Sequence, residues 1–171
     1  MPTGREPVRF SGATHSIDSL TSGRMRVCLD HWRAGRPVGD LVLRSSLALD
    51  TLRPALGRIG LTDVYENPRR YRYRLYGVEL AASTGEYTGR WAHEIQPPAY
   101  RAVILHQYDE TVAARQPLLH VVAATCEGRS ASYRRLTIPL STGQPEVAQL
   151  WMTTVGLRAF ASVVWGRNEP F

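Results

Sequence analysis

The chain has 171 residues, of which 43% are hydrophobic and 21% charged, and this profile is typical of one folded domain. No apolar run approaches the roughly 18 to 20 residues that a membrane-spanning helix needs, so the sequence argues against a membrane protein. The N-terminal segment is polar and lacks the apolar core of a secretion signal, and we therefore expect a cytoplasmic protein.

The net charge is +6, and all 21 basic residues are arginine, since the chain contains no lysine. Arginine side chains match phosphate groups, so this composition raises the question of a nucleic-acid partner. The arginines are spread over the whole chain, however, and only Arg69, Arg70, Arg72 and Arg74 cluster. Their distribution therefore disfavours nucleic acid, and codon bias is the simpler explanation.

The N-terminal third predicts an arm followed by helices. Residues 1–17 carry Gly, Pro, Ser and Thr with scattered charge, which predicts a flexible arm. A first helix is predicted at residues 19–33, ended by the sequence GRP at 35–37. Asp50 is a good N-cap for a second, short helix with Leu52 and Leu56 facing inward.

The rest of the chain predicts a hairpin, a cap, a long helix and a meander. Strands at residues 59–65 and 71–77 flank a turn, and a run of small residues at 78–96, with a stop at Gly85, predicts a helical cap. A long helix at 99–115 follows two prolines, and strands at 118–126, 132–140 and 147–155 follow it. This order predicts an α+β fold with an antiparallel sheet and helices on one face.

The last residues, 156–171, are too apolar for a free tail, since they include Leu157, Phe160 and Trp165. They either pack back on the sheet or form a dimer contact, and the sequence does not choose between the two.

Three motifs resemble the signature of a bacterial family of PAS-fold proteins. They are LTDV at residues 61–64, YRYRLYG at 71–77 and TGR at 88–90. The resemblance extends upstream to HWR at 31–33 and downstream to YRRL at 133–136 and PLS at 139–141, so it covers about residues 25–155. Two departures affect the pocket mouth: Val78 replaces the usual Thr, and residues 43–49 lack an acidic, proline-containing run.

The resemblance implies a five-stranded antiparallel sheet, built from the two strands before the cap and the three after it. It also implies a single PAS-like domain at 18–155 that includes the N-terminal helices, and a C-terminal extension at 156–171. A cap over one face of a sheet leaves a cleft that can hold a small molecule.

Six side chains are candidate ligand-binding residues. They are Arg72, Arg74, Trp91, Tyr100, Tyr108 and Trp151. Two guanidinium groups on one strand face could bind a carboxylate or phosphate, although an ion pair with Asp63 is the simpler role. The aromatic rings could stack on a planar ligand or simply fill the core.

The sequence gives little support for the cofactors known from PAS proteins. His106 lies on the long helix, where some PAS haem sensors carry their ligand, but it falls off the apolar stripe. The cap lacks the cysteine that flavin photochemistry of the LOV type requires. Cys28 and Cys126 have no metal-binding spacing. We therefore predict no metal site, disfavour haem and flavin, and leave the cofactor open.

These features favour a sensory or ligand-binding module without catalytic activity. Since the PAS-like core fills the chain, its output would pass through a protein partner or a homodimer. A second hypothesis is a small pocket enzyme, such as a dehydratase or isomerase, that uses Asp63 with His93 or His106. A third is a nucleic-acid-associated protein that uses the arginine-rich hairpin.

Overall fold

A twisted sheet with helices on both faces forms the part of the chain that the computed structural model describes, residues 6–47 and 57–166. The strands are β1 Arg9–His15, β2 Pro37–Val38, β3 Leu41–Leu43, β4 Ile59–Tyr65, β5 Arg70–Tyr76, β6 Leu118–Cys126, β7 Arg129–Ser141 and β8 Gln149–Val155. The α-helices are α1 Gly23–Ala34, α2 Val78–Thr84, α3 Pro98–Ala114 and α4 Leu157–Trp165. The predicted α+β class is confirmed.

The sheet has the order β1-β6-β7-β8-β4-β5, and these neighbours pair antiparallel. The β4–β5 hairpin and the β6–β7–β8 meander join through the β4–β8 pair, which is the connection that the PAS resemblance implies. The predicted count of five strands is wrong. Within residues 6–47 and 57–166 the sheet has eight strands, because β1 adds to the β6 edge and the short β2–β3 hairpin attaches to β7 through a parallel contact.

β1 lies within the segment predicted to be a flexible arm. Its seven residues pair in register with β6, from Arg9 opposite Thr125 to His15 opposite Leu119. Six of the seven are exposed, so the strand carries no alternation of buried and exposed residues that a sequence pattern could reveal. Phe10 is the exception, and its ring lies 5.3 Å from the Tyr100 ring.

One face of the sheet, called the inner face here, is covered by α2, α3 and α4. α3 begins at two prolines, as predicted, and ends at Arg115 in a left-handed conformation. α4 forms the described part of the apolar tail, and it packs on the sheet. Phe160 is fully buried there, with its ring 4.9 Å from the Tyr133 ring.

The opposite face, called the outer face here, carries α1. Its first turn is capped by Ser22, whose side chain accepts a hydrogen bond from the Met25 backbone N–H. A second apolar core lies beneath it. The core contains Met25, Cys28, Leu29, Leu61, Leu136, Ile138, Leu140 and Trp151. The expectation that helices cover only one face is therefore wrong, because the N-terminal helix covers the other.

The short helix predicted after Asp50 lies outside the described residues. Among the helices of residues 6–47 and 57–166, none has the length and apolar character to cross a membrane.

Candidate ligand-binding site

Tyrosine rings fill the space between the inner face and its helices. β5, α3 and β7 all contribute tyrosines, because the spacing of these residues matches the strand or helix repeat and places them on the face toward this space. The lining tyrosines are Tyr73, Tyr76, Tyr87, Tyr100, Tyr108 and Tyr133. Their rings meet edge to face, as between Tyr73 and Tyr87 at 5.8 Å. The site is therefore aromatic in its walls and hydroxylic in its interior.

The hydroxyl groups bond mainly to one another. Tyr73 and Tyr108 share a hydrogen bond of 2.9 Å, and the Tyr108 hydroxyl donates to the Met152 sulfur at 3.3 Å. Tyr100 and Tyr133 share a second bond of 2.7 Å. These hydroxyls have protein partners, and each can both donate and accept, so a polar group of another molecule could exchange with those partners.

Burial raises the pKa values of Tyr73, Tyr76, Tyr100 and Tyr133 above their ordinary value. Hydrogen bonds and neighbouring charges modify the shift but do not reverse it. The hydroxyls of these four residues are therefore neutral across the physiological range, and they offer hydrogen-bond donors to an anion.

Among the described residues that line this cavity, Arg135 is the only one with a charged side chain. It stands on β7 two residues from Tyr133, and alternation places both on the inner face. Only 3% of its surface is exposed, and its guanidinium carbon lies 5.1 Å from the centre of the Tyr108 ring. Its Nη2 donates to the Gln107 side-chain oxygen, whereas its Nε–H has no hydrogen-bond partner. No carboxylate of residues 6–47 and 57–166 forms an ion pair with it.

Gln107 connects Arg135 to the edge of the sheet. Its side chain accepts from Arg135 and lies against Gly12 of β1. A Cβ atom at Gly12 would lie 2.6 Å from the Gln107 nitrogen and 2.9 Å from a Val103 methyl carbon, so any other residue there would force these side chains to shift. β1 therefore packs directly on the side chain that holds Arg135.

A buried histidine lies beside Arg135 in the sheet, since His120 on β6 is the register partner of Arg135 on β7. Its Nε2 lies 3.2 Å from a Glu110 carboxylate oxygen, and Thr14 of β1 donates to the same carboxylate. Burial, with the charges of Arg135 and His106, lowers the pKa of His120 to about 3. The ring is therefore neutral, and its Nε2–H donates to Glu110.

The low pKa predicts a specific dependence of stability on pH. The unfolded chain binds a proton at His120 below its ordinary pKa of 6.5, whereas the folded state binds one only near 3. The contribution of the neutral ring is thus complete above pH 6.5 and is lost as the pH falls, by at most about 1.4 kcal/mol per unit. Urea unfolding from pH 7 to 5 should show a flatter profile for His120→Gln than for the wild type.

His15→Gln is the matched control for this measurement, since His15 is exposed at the end of β1. Its profile should follow that of the wild type. Equal pH dependence in His120→Gln and the wild type would contradict a buried, neutral His120.

The cavity among these side chains is small, at about 20 Å³, which is room for about one water molecule. Most lining residues are buried, and the partly or fully exposed ones mark the route inward. They are Tyr76, Thr84, Gln96 and Trp165. A ligand larger than water must therefore displace side chains as it enters.

The six predicted site residues do not share one cleft. Tyr100 and Tyr108 line the inner cavity. Arg72, Arg74 and Trp151 lie on the outer face: Arg74 binds Asp63 at 3.0 and 3.1 Å, Arg72 donates to the Gly89 carbonyl, and Trp151 is buried in the core beneath α1.

Trp91 belongs to the outer-face group, because it lies in the cap and its backbone pairs with that of Arg72 at the β5 edge. The structure therefore divides the predicted set between two surfaces on opposite sides of the sheet.

The structure does not bring together the acid and histidines of the enzyme hypothesis. The Asp63 carboxylate binds Arg74 and the Gln149 amide on the outer face. His106 lies near Glu110 on the solvent side of α3, and His93 stacks on Trp91. None of the three lines the inner cavity.

Cys28 and Cys126 are free and buried, and neither lines the cavity. The described residues contain no group of three or more histidine, cysteine or acidic side chains placed to hold a metal ion.

Sequence reasoning missed Arg135, Tyr73 and Tyr133. The alternation of tyrosine and arginine in β5 put Tyr73 on the opposite face from Arg72 and Arg74, and this signal could have been followed. Arg135 was harder to find, because Leu136, Ile138 and Leu140 alternate with it and predict a solvated position for the arginine. Since α1 covers those three side chains, both faces of β7 are buried in its second half.

No family model matches the chain, and no curated protein matches it. Among solved structures, the chain is similar to an RNA-binding light-oxygen-voltage receptor, with 14% identity and a TM-score of 0.45. The match covers 91% of this chain, which spans 41% of that structure.

Proposed function

We propose that the protein is a PAS-like ligand-binding module that holds a small anionic molecule at Arg135 and signals through a protein partner or a second copy of itself. The observation that carries this proposal is the buried guanidinium without a carboxylate partner among the described residues. The joined hairpin and meander, the cap, and the motifs that resemble the PAS signature support the architecture.

The energetic argument starts from the cost of burying a charge. Moving an ion out of water costs several kcal/mol of hydration free energy, unless a partner of opposite charge and hydrogen bonds compensate for the loss. At Arg135 the compensation is one amide oxygen and the face of one ring, and the Nε–H remains without a partner. A ligand carboxylate or phosphate would supply the missing charge and accept from both Nε and Nη2.

The walls suit an anion attached to an aromatic body. The Tyr100 and Tyr133 hydroxyls can donate to the same anion, because both line the cavity around Arg135. The tyrosine rings offer edges and faces against which a planar group can pack. Because the ligand-free cavity admits about one water, binding requires the tyrosine side chains to move outward, and the ligand stabilises a conformation that is rare without it.

The output passes through Gln107. An anion on the Arg135 guanidinium competes with the Gln107 oxygen, so the Gln107 side chain must rearrange. Its nitrogen lies against Gly12, so a rearrangement alters the packing of β1 at the sheet edge. In the described part of the chain β1 is an edge strand, and such an edge is a surface for another strand or protein.

A thermal melting experiment tests the proposal. Wild-type protein is mixed with inorganic phosphate, benzoate or 4-hydroxybenzoate, and in parallel with the neutral benzamide. We expect at least one anion to raise the melting temperature by several degrees at saturation, since it binds only the folded state. Benzamide should have no effect.

Arg135→Met should abolish the response to the anion, whereas Arg134→Met, on the opposite face of the same strand, should retain it. An unchanged melting temperature with all three anions, or an equal response in Arg135→Met, would overturn the anion site.

A further inference from the structure

The outer face of the sheet is only partly covered. α1 packs over β6, β7, β8 and the first half of β4, but its core does not reach β5. On β5 the side chains of Arg70, Arg72 and Arg74 are exposed, and Tyr65 at the end of β4 is 40% exposed. This leaves an open strip at the β5 edge, on the side of the sheet away from the Arg135 cavity.

Trp91 forms the centre of that strip. Its ring lies 5.2 Å from the Tyr65 ring and 5.9 Å from the His93 ring, and the His93 ring is nearly parallel to it at 17°. The guanidinium carbons of Arg70 and Arg72 lie 4.7 and 5.6 Å from its centre. Aromatic rings and two cations therefore share one half-exposed surface, called the Trp91 platform here.

The arginines around the platform differ in their ion pairs. Arg69, Arg74 and Arg90 are paired with Glu66, Asp63 and Glu94. No carboxylate of the described residues is paired with Arg70 or Arg72, the two that lie over Trp91. The Arg72 Nε donates to the Gly89 carbonyl, which fixes the side chain and leaves its charge uncompensated.

We infer that the Trp91 platform binds single-stranded nucleic acid. Exposed aromatic rings on a sheet stack on unpaired bases of any sequence, and adjacent guanidinium groups neutralise the phosphates between those bases. The sequence disfavoured nucleic acid because its arginines are scattered along the chain. Folding gathers two uncompensated arginines and three rings from β4, β5 and the cap. The inference is independent of the Arg135 cavity, which lies on the other face.

Fluorescence anisotropy of a labelled, short, mixed-sequence RNA tests this inference. DNA of the same sequence distinguishes the two sources of a single strand, and the RNA duplex tests whether unpaired bases are needed. We expect binding to a single strand that weakens with salt, and weaker binding to the duplex. Trp91→Ala should lose on the order of tenfold in affinity, because one stacked base is lost.

The charge-reversing pair Arg70→Glu and Arg72→Glu should also reduce the slope of log affinity against log salt by about 1.4, since two phosphate contacts are removed. The matched control is Arg33→Glu with Arg158→Glu, which changes the net charge equally at exposed sites on α1 and α4. It should retain most of the affinity and the wild-type slope.

Trp91→Phe guards against a folding defect in the alanine variant, because it keeps a stacking ring and should bind nearly as well as the wild type. No binding at about 50 mM salt would overturn the inference, as would equal binding of single strand and duplex. Equal losses in the platform and control pairs would also overturn it, because they would show that only net charge matters.

Discussion

Replacing Phe160 with alanine is expected to lower the free energy of unfolding by about 3 to 5 kcal/mol. Phe160 is fully buried at the centre of α4. Its ring lies between 4.9 and 6.4 Å from the rings of Phe10, Tyr100, Tyr133 and Trp165. Truncation removes apolar contacts with β1, α3 and β7 together, and the surrounding aromatic side chains are too large to fill the space fully.

Urea unfolding measures this loss of stability, and two further variants serve as comparisons. Phe160→Leu keeps much of the volume and should lose less. Arg158→Ala is exposed on the same helix and should remain within about 0.5 kcal/mol of the wild type.

The same series separates the two positions that the sequence allowed for the apolar tail. If α4 packs within its own chain, the loss in Phe160→Ala does not depend on protein concentration. If it were a dimer contact, stability would rise with concentration in the wild type and less so in the variant. A small loss in Phe160→Ala, equal to that in Arg158→Ala, would contradict the packing of α4 on the sheet.

Several regular elements could be predicted from their local sequence pattern and flanking turn residues. β4 and β6 have the predicted bounds, and β5 and α3 differ from theirs by one residue at each end. In β5, Tyr71 and Tyr73 alternate with exposed arginines, which is the pattern of a strand with one wet face. These predictions depend on local periodicity alone.

The site could not be predicted in the same way, because burial depends on what covers each face. β7 is buried on both faces in its second half, so alternation no longer separates inside from outside. With helices on one face only, the alternation of Leu136, Ile138 and Leu140 would place Arg135 on the solvated face. The position of α1 on the outer face, a non-local fact, reverses this result.

β1 shows a second limit of the sequence. An edge strand with six exposed residues gains its stability from backbone pairing with β6, which the side-chain pattern does not report. Gly12 and Phe10 pack against Gln107 and Tyr100 of α3, which are distant in sequence, so their roles are visible only in the folded structure. The link from the Arg135 cavity to the sheet edge was therefore beyond sequence reasoning.

Replacing Arg135 with methionine is expected to raise the free energy of unfolding of the ligand-free protein by about 1 to 4 kcal/mol. Methionine has a similar length, removes the uncompensated charge and packs against the Tyr108 ring. The variant leaves the Gln107 oxygen without its donor, which reduces the gain. The double variant Arg135→Met with Gln107→Leu removes this loss and should be at least as stable.

Urea unfolding in a buffer free of phosphate and carboxylates is the appropriate measurement, because a bound anion would stabilise only the wild type. Arg134→Met, exposed on the other face, is the control and should change stability by less than about 0.5 kcal/mol. A loss of about 3 to 5 kcal/mol in both Arg135 variants would contradict the prediction, since that loss is typical of a buried charge whose partners lie within the protein. A gain in stability together with a lost response to anions would show that Arg135 destabilises the protein without ligand but is needed to bind an anion. This combination is expected of a residue whose charge partner is a ligand.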